Sequence, residues 1–246
     1  MPTYRDEAIV LRTHKLGEAD RIVTLLTRLH GKVRAVARGV RRVSSKFGGR
    51  LEPCSHVDLE IASGRTLDTI TQAVTLHPFS EPMRADYRLF TTAQVMTETA
   101  DRVVGEDHQP ALRQHLLLVG ALRTLTTGTP DGPRPAGMIM DSYLLRAVAL
   151  AGYGASLDTC AACGAPGPHE AFSATAGGAV CRQCRPPGSA VPRSRTMPYL
   201  LALRDGDWVS TRAVPDIVQR QASDLVASFV GWQLDHRLRS LVHVER

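Results

Sequence analysis

Two pairs of cysteines constrain this chain more than any other feature of its sequence. Cys160 and Cys163 form one CxxC pair, Cys181 and Cys184 form another, and seventeen residues separate the pairs. Each pair can form a tight turn that presents two thiolates, and two such turns complete the tetrahedral shell that zinc prefers in structural sites. Because four protein ligands leave no position for water or substrate, the pattern predicts one structural zinc ion per chain.

The sequence around these cysteines needs a cross-link. Residues 159–192 are rich in Gly, Pro and small side chains and lack the bulky apolar residues that build a core. We therefore predict a zinc-binding insert over residues 157–192, in which the metal contributes roughly 10 to 16 kcal/mol of apparent binding free energy. The alternatives are redox-active CxxC motifs or two disulfides, and His169 could replace one ligand. The isolated Cys54 is interpreted as a partly buried small side chain without a function.

Short β-prone runs alternate with turn signals up to about His77. In one of them Val57, Leu59 and Ile61 alternate with acidic residues, which is typical of a half-buried antiparallel strand. The five predicted strands are Glu7–Arg12, Asp20–Thr27, Lys32–Arg38, His56–Ser63 and Leu67–Leu76. Because a closed sheet hides its edges, we predict an OB-type β-barrel over residues 1–79; an SH3-like barrel has a similar strand count and fits the same pattern.

After Pro78, apolar residues recur at spacings of three and four, which indicates helices. The predicted helices are Met83–Val104, Pro110–Thr127, Arg134–Gly152 and Pro215 to about Leu241, with breaks rich in Gly and Pro. The fold class is therefore α+β: an N-terminal five-stranded OB-type barrel, followed at residues 80–246 by an all-helical domain that contains the zinc insert.

Positive charge is concentrated in the first third of the chain. Residues 1–80 hold thirteen Lys or Arg against eight Asp or Glu, and the segment Arg28–Arg50 holds eight bases and no acid. On the third strand Lys32, Arg34 and Arg38 share one face, and a Gly- and Ser-rich loop that we expect to be mobile follows. A basic run dominated by arginine is typical of a surface that binds phosphate backbones; a solvated face is the alternative. The predicted DNA-binding residues are Lys32, Arg34, Arg38, Arg41, Arg42, Lys46 and Arg50.

Aromatic residues that could stack on bases are scarce in the barrel, where Tyr4 and Phe47 are the candidates. We therefore expect weak sequence preference and strong salt sensitivity. If about five phosphates of a single strand are neutralised, log K should fall with log salt at a slope of about −3.5.

Three stretches of the barrel sequence are distinctive: Glu7–Leu11 (EAIVL), Gly17–Val23 (GEADRIV) and Gly31–Arg42 (GKVRAVARGVRR). Together with the order of barrel, helices and four-cysteine insert, they resemble the RecO family of bacterial recombination mediators over the whole chain. The resemblance implies DNA contacts at Lys32, Arg34, Arg38, Arg41 and Arg42, and zinc ligation by Cys160, Cys163, Cys181 and Cys184.

The same resemblance implies a role in recombinational DNA repair without covalent chemistry. Members of the family bind single- and double-stranded DNA, anneal complementary strands, and work with RecR to load RecA onto DNA covered by single-strand-binding protein. They also dock the acidic C-terminal tail of that protein on their helical part, for which no local motif of this chain marks a pocket.

Other classes of function find less support in the sequence. A GxxxxGK[ST] loop, an HExxH helix and a GxSxG elbow are all absent, so we expect no enzyme. An RNA-binding protein would carry the same basic segment and cysteine pattern, and a protein adaptor would use the helices alone. Residues 1–10 lack the pattern of a signal peptide and no run of eighteen apolar residues occurs, so we expect no membrane partner and a cytoplasmic, nucleoid-associated location.

Overall fold

The computed structural model describes residues 2–105, 107–234 and 238–244. The chain divides into two compact units, Met1–Thr126 and Thr127–Arg246. The first unit contains strands β1 (Thr3–Leu16), β2 (Asp20–Thr27), β3 (Gly31–Ala37), β4 (His56–Ala62) and β5 (Asp68–His77), followed by helices α1 (Ser80–Ala85), α2 (Tyr87–Val103) and α3 (Leu112–Thr127).

The five strands close into a barrel in the order β1-β2-β3-β5-β4, with β4 returning to β1. All neighbours are antiparallel except β3 and β5, which pair in parallel where Ala35 meets Asp68. This order is typical of an OB-type barrel, so the predicted five-stranded barrel and the α+β class are confirmed.

Alternating side chains fill the barrel. Val57, Leu59 and Ile61 are fully buried, as their period-two pattern predicts. Three residues from outside the strands complete this core: Val40 and Phe47, in the loop after β3, and Leu51, in a short 3-10 helix at Gly48–Leu51. The loop is therefore part of the core that holds the barrel together.

Strand β1 is longer than the sequence predicts. It spans Thr3–Leu16, with an irregularity between Val10 and Arg12, and pairs with β4 through its first half and with β2 through its second. A bulge of this kind bends a strand, which lets one long strand serve two sides of a closed barrel. The extra residues at both ends are mostly polar and exposed, so hydrophobic patterning does not mark them.

The helix predicted at Met83–Val104 is divided in two. Asp86 adopts an extended conformation between α1 and α2, and its carboxylate accepts hydrogen bonds from the backbone N–H groups of Arg88 and Leu89. This is an N-cap, so α2 begins at Tyr87. Helix α2 packs against β1, which brings it into the same compact unit as the barrel.

The second unit is built on α4 (Ala136–Leu150), α5 (Thr196–Asp205) and α6 (Asp216–Gln233), which pack on one another. Helix α5 was not predicted, because its ten residues are too few to show a clear helical period. The last helix, predicted from Pro215 to about Leu241, ends at Gln233 in the structure. Residues 235–237 lie outside the described residues, and Ser240–His243 form a 3-10 helix. None of the described helices is long and apolar enough to cross a membrane.

Candidate metal centre and nucleic-acid interface

The four paired cysteines converge on one point of the second unit. A small hairpin, β6 (Ala171–Ser173) and β7 (Gly178–Val180), separates the pairs in sequence and brings them together in space. The first pair lies in a tight turn, since the Cys160 N–H donates to the Ala165 carbonyl at 2.8 Å and the Gly164 N–H donates to the Cys160 carbonyl at 2.8 Å.

The sulfur geometry fits one metal ion. The four Sγ atoms all lie within 4.8 Å of one another. The Cys163 and Cys181 sulfurs are 3.9 Å apart, and a tetrahedral site with zinc–sulfur bonds of about 2.3 Å requires about 3.8 Å. All the cysteines are free thiols, so the disulfide alternative is wrong.

His169 is not part of the cluster. Its Nε2–H donates to the Ala165 carbonyl at 2.9 Å, which gives the ring a structural partner in the loop. Cys54 is 1% exposed, and burial raises its pKa to about 12. That side chain is therefore an inert part of the core of the first unit.

The electrostatics of the cluster call for a cation. The backbone N–H of Cys181 donates to the Cys160 sulfur at 3.4 Å and, with other backbone N–H groups, lowers the Cys160 pKa to about 6. The neighbouring thiols of Cys181 and Cys163 instead raise the Cys184 pKa to about 12. Four adjacent thiolates repel one another, and a divalent cation is the group that lets all four ionise.

The module is also tied to the helices of its own unit. Phe172 of β6 lies edge-on to Phe229 of α6, with ring centroids 6.2 Å apart. Asp158 accepts a hydrogen bond from Arg204 of α5 at 2.7 Å, and this contact lowers the Asp158 pKa. Cys160, Ala171 and Val180 are buried together inside the module, which is too small a core to fold alone.

The basic segment Arg28–Arg50 spans the turn before β3, β3 itself and the loop that follows. Val33, Ala35 and Ala37 face the barrel core, while Arg34 and Arg38 are exposed on the opposite side. The alternation predicted from the sequence therefore holds for this strand.

Lys32 lies on the same face of β3 as Arg34, but it is less exposed than the other predicted DNA contacts. Its ammonium group donates to the carbonyls of Asp101 at 2.8 Å and Val104 at 3.0 Å, at the C-terminal end of α2, and its side chain is 16% exposed. A cation at this position satisfies carbonyls that have no partner within the helix. Lys32 therefore has a structural role that the sequence did not indicate.

The remaining bases are exposed and fall into two groups. Three donate to nearby backbone carbonyls: Arg41 to Gly17 at 3.2 Å, Lys46 to Thr71 at 2.7 Å and Arg50 to Lys46 at 2.8 Å. The other three, Arg34, Arg38 and Arg42, have no side-chain hydrogen bond or ion pair within the part of the chain that the structure describes. We call these three residues the arginine face.

The loop after β3 is anchored, where the sequence predicted a mobile segment. Val40, Phe47 and Leu51 are buried in the barrel core, and the Arg41 N–H donates to the Ala19 carbonyl at 2.9 Å. Phe47 is 1% exposed, so it cannot stack on a base. A high content of Gly and Ser is typical of a mobile loop. The sequence prediction is wrong here because composition does not show that three apolar side chains of the loop are buried.

A groove of about 610 Å³ lies beside this loop. Lys46, Arg50 and Arg84 line it together with Gly48 and Gly49, whose lack of side chains leaves backbone accessible. A single acid, Glu81, also lines it. The excess of positive charge makes the groove a favourable path for a polyanion.

Arg12 is a basic neighbour of the arginine face that the sequence pattern does not indicate. Arg12 of β1 lies opposite Thr24 of β2, which lies opposite Arg34 of β3, so the three side chains form one row across the sheet. Arg12 is 47% exposed, and its guanidinium donates to Asp101 at 2.6 Å. Only the pairing register, which depends on the bulge in β1, reveals this proximity.

Fold and sites together define the class of this chain: an OB-type barrel with an arginine-rich outer face, joined to helices that carry a four-thiol cluster. Two family models match it, Recombination protein O N terminal over residues 1–79 and Recombination protein O C terminal over residues 84–241. The chain is 56% identical to the DNA repair protein RecO of Cutibacterium acnes over the full length of both chains, and 54% identical to that of Nocardioides sp. over 99% of each. It belongs to the RecO family, and its role lies in DNA repair and recombination.

Proposed function

We propose that this protein is a recombination mediator that binds single- and double-stranded DNA, anneals complementary strands and, with RecR, promotes loading of RecA onto DNA coated by single-strand-binding protein. Family membership supports the general role. The observation that carries the DNA-binding part is the arginine face, three exposed guanidinium groups without a described partner inside an acid-free segment.

Annealing follows from charge neutralisation. Guanidinium groups form bidentate contacts with phosphate and carry no information on base sequence. A surface that holds two backbones lowers the repulsion between them and raises their local concentration. The mediator acts by binding alone, without covalent chemistry, as the repair role of the family and the closed four-thiol site favour.

The remaining assignments are proposed on the same basis. Residues 1–79 form the DNA-binding domain and residues 80–246 the helical domain, with the insert at 157–192. Cys160, Cys163, Cys181 and Cys184 hold one zinc ion, whose chemistry is to neutralise the thiolates and close the module. The acidic tail of single-strand-binding protein docks on the helical domain, and the protein works in the cytoplasm, at the nucleoid.

A matched pair of triple variants tests the arginine face. Arg34, Arg38 and Arg42 are changed to Ala in one variant, and Arg65, Arg113 and Arg193 in the other. The control arginines are also exposed and lack a described side-chain partner, so both variants lose the same net charge. Binding to single-stranded DNA is titrated at several salt concentrations.

The salt slope is the slope of log K against log salt, which is negative. In the first variant we expect it to become less steep by about 2, because each lost phosphate contact removes about 0.7 on a single strand. The control variant should keep the wild-type slope. An equal change in both variants would attribute binding to net charge and refute the arginine face as the contact surface.

Annealing of complementary oligonucleotides distinguishes the mediator from an RNA-binding protein. The wild type should accelerate annealing of DNA, also when single-strand-binding protein covers it, and the triple variant of the arginine face should lose this activity. RecA loading is followed in parallel with and without RecR. Tighter binding to RNA than to DNA of matched length, without annealing of DNA, would contradict the proposal.

A further inference from the structure

A second cluster of metal-ligating side chains lies in the first unit, far in sequence from the cysteines. Glu7 of β1, His56 of β4 and His115 of α3 place one carboxylate oxygen and two imidazole nitrogens within 4.8 Å of one another. His56 is 2% exposed and His115 is fully buried, while the Glu7 side chain is 27% exposed. The cluster therefore lies inside the unit and is accessible from the side of Glu7.

The hydrogen bond of His115 orients its ring and leaves one nitrogen unused. His115 Nδ1–H donates to the Leu26 carbonyl at 3.1 Å, so in the neutral ring Nε2 carries the lone pair. That Nε2 has no hydrogen-bond partner within the described residues, and Glu7 Oε1 lies 3.6 Å from it. A buried imidazole lone pair that faces a carboxylate oxygen is unfavourable unless a positive charge lies between them.

His56 completes the same arrangement. Its Nε2 lies 2.7 Å from Glu7 Oε1, and its Nδ1 lies 3.0 Å from His77 Nδ1. The His56 and His77 rings are also stacked, with centroids 5.1 Å apart. A metal-ligating histidine usually has a second partner on its other ring nitrogen, and His77 is placed to be that partner.

We infer that Glu7, His56 and His115 form a second metal site, which binds a divalent transition metal of the zinc type through Glu7 Oε1 and the Nε2 atoms of both histidines. Two imidazoles and one carboxylate suit zinc, cobalt or iron, and they disfavour magnesium and calcium, which take oxygen ligands.

The distances between ligand atoms agree with this assignment. Bonds of about 2.0 to 2.1 Å in tetrahedral geometry place ligand atoms about 3.3 Å apart. The observed separations of 2.7 and 3.6 Å from Glu7 Oε1 lie on either side of that value, so small side-chain shifts suffice. Arg28 donates to the other oxygen, Oε2, at 3.0 Å, which holds the carboxylate in place.

Binding requires two protons to shift within their rings, and none is released. His56 moves its proton from Nε2 to Nδ1, which frees the Nε2 lone pair for the metal. The hydrogen bond to His77 then reverses: His77 moves its own proton from Nδ1 to Nε2, so its Nδ1 accepts from His56 Nδ1–H. The three ligands come from β1, β4 and α3, so the metal fixes α3 against the barrel. Since the protein provides three ligands, one coordination position faces the exposed side of Glu7.

A cobalt titration of the full chain tests this site. The protein is first loaded with one equivalent of zinc, which fills the four-thiol site, and Co²⁺ is then added. Cobalt bound by nitrogen and oxygen gives d–d bands without the thiolate charge-transfer band of a cysteine site. We expect one further equivalent to bind with such a spectrum, and an equal excess of Mg²⁺ not to compete.

Loss of any one ligand should weaken binding of the second Co²⁺ equivalent by at least about 100-fold, which exceeds the effect of losing an outer-shell partner. The three single variants that test this are Glu7→Gln, His56→Gln and His115→Gln. The control is His14→Gln, at an exposed histidine on β1, which should bind as the wild type does. Because the Glu7 side chain is partly exposed, Glu7→Gln remains informative if a buried histidine variant fails to fold. Binding of the second equivalent should raise the thermal midpoint of the wild type, and Glu7→Gln should not show this rise.

Three results would overturn the inference: a wild type that binds no second equivalent, cobalt bands that arise only with thiolate charge transfer, or affinity unchanged in all three ligand variants. In each case the cluster is a polar network of the core. None of these results bears on the arginine face, whose tests measure DNA binding.

Discussion

Lys32 and Arg34 lie two residues apart on the same face of β3, and we predict opposite consequences when each is changed to Met. Lys32→Met removes a cation that donates to two carbonyls at the end of α2, at 2.8 and 3.0 Å. A hydrogen bond to a charged group contributes about 1.5 to 3 kcal/mol, and a cation at a helix C-terminus about 0.3 to 1 kcal/mol.

The side chain of Lys32 is 16% exposed, so water can partly replace the lost donor. We therefore expect Lys32→Met to destabilise the first unit by about 2 to 3 kcal/mol, less than the sum of about 3 to 7 kcal/mol for two such hydrogen bonds and the helix terminus. Arg34 has no described partner, so Arg34→Met should change stability by less than about 0.5 kcal/mol. Conversely, Arg34→Met should make the salt slope of single-strand binding less steep by about 0.7, and Lys32→Met should leave that slope unchanged.

The stability assay must report on the first unit alone. Both tryptophans, Trp208 and Trp232, lie in the second unit, so their fluorescence does not follow the barrel. Hydrogen exchange of the amides in α2 and β3, read by mass spectrometry, measures the relevant opening free energy. The reasoning is refuted if Lys32→Met makes the salt slope less steep and leaves exchange in α2 unchanged, because Lys32 would then contact DNA after all.

Three further predictions concern the two cores and the metal centre. Under the proposed zinc site, Cys163→Ser should lower the zinc content and raise hydrogen exchange across residues 157–192; a full metal content with unchanged exchange would contradict that site. Asp131→Asn removes the carboxylate that pairs with Arg134, whose side chain is 9% exposed, and should cost the second unit about 3 kcal/mol in urea unfolding followed by Trp208 fluorescence. Phe47→Ala should destabilise the barrel by about 3 to 5 kcal/mol while the folded fraction keeps the wild-type affinity for single-stranded DNA; weaker binding by the folded fraction would indicate that the ring touches DNA.

The features that could be predicted from the sequence are those encoded by neighbouring residues. The alternation of Val57, Leu59 and Ile61 indicates a half-buried strand, because successive side chains of a strand point to opposite faces. The spacing of Cys160 and Cys163 indicates a metal-binding turn, because two thiolates three residues apart can reach one ion. Both signals act within a few residues, and both agree with the structure.

What the sequence could not show depends on pairing between distant segments. The ammonium of Lys32 meets the carbonyl of Asp101, 69 residues away. The cluster of Glu7, His56 and His115 joins two strands and a helix with no spacing that would mark it as a motif. The break at Asp86 depends on a carboxylate that caps α2, and within a longer apolar pattern one acidic residue is a weak signal.

The scarcity of available aromatic side chains bears on how a protein of this kind could anneal strands. Phe47 is buried in the barrel core, and Tyr4 donates its hydroxyl to Asp68 at 2.6 Å while its ring lies 4.5 Å from that of His30. Single-strand binders that stack bases on aromatic rings occupy the faces that must stack again in a duplex. Arginine contacts to phosphate leave both the faces and the pairing edges of the bases free. Under the proposed function, a barrel that keeps its aromatic rings occupied and presents guanidinium groups can hold a strand and still allow it to pair, so an aromatic residue introduced beside Arg34 should tighten single-strand binding and slow annealing.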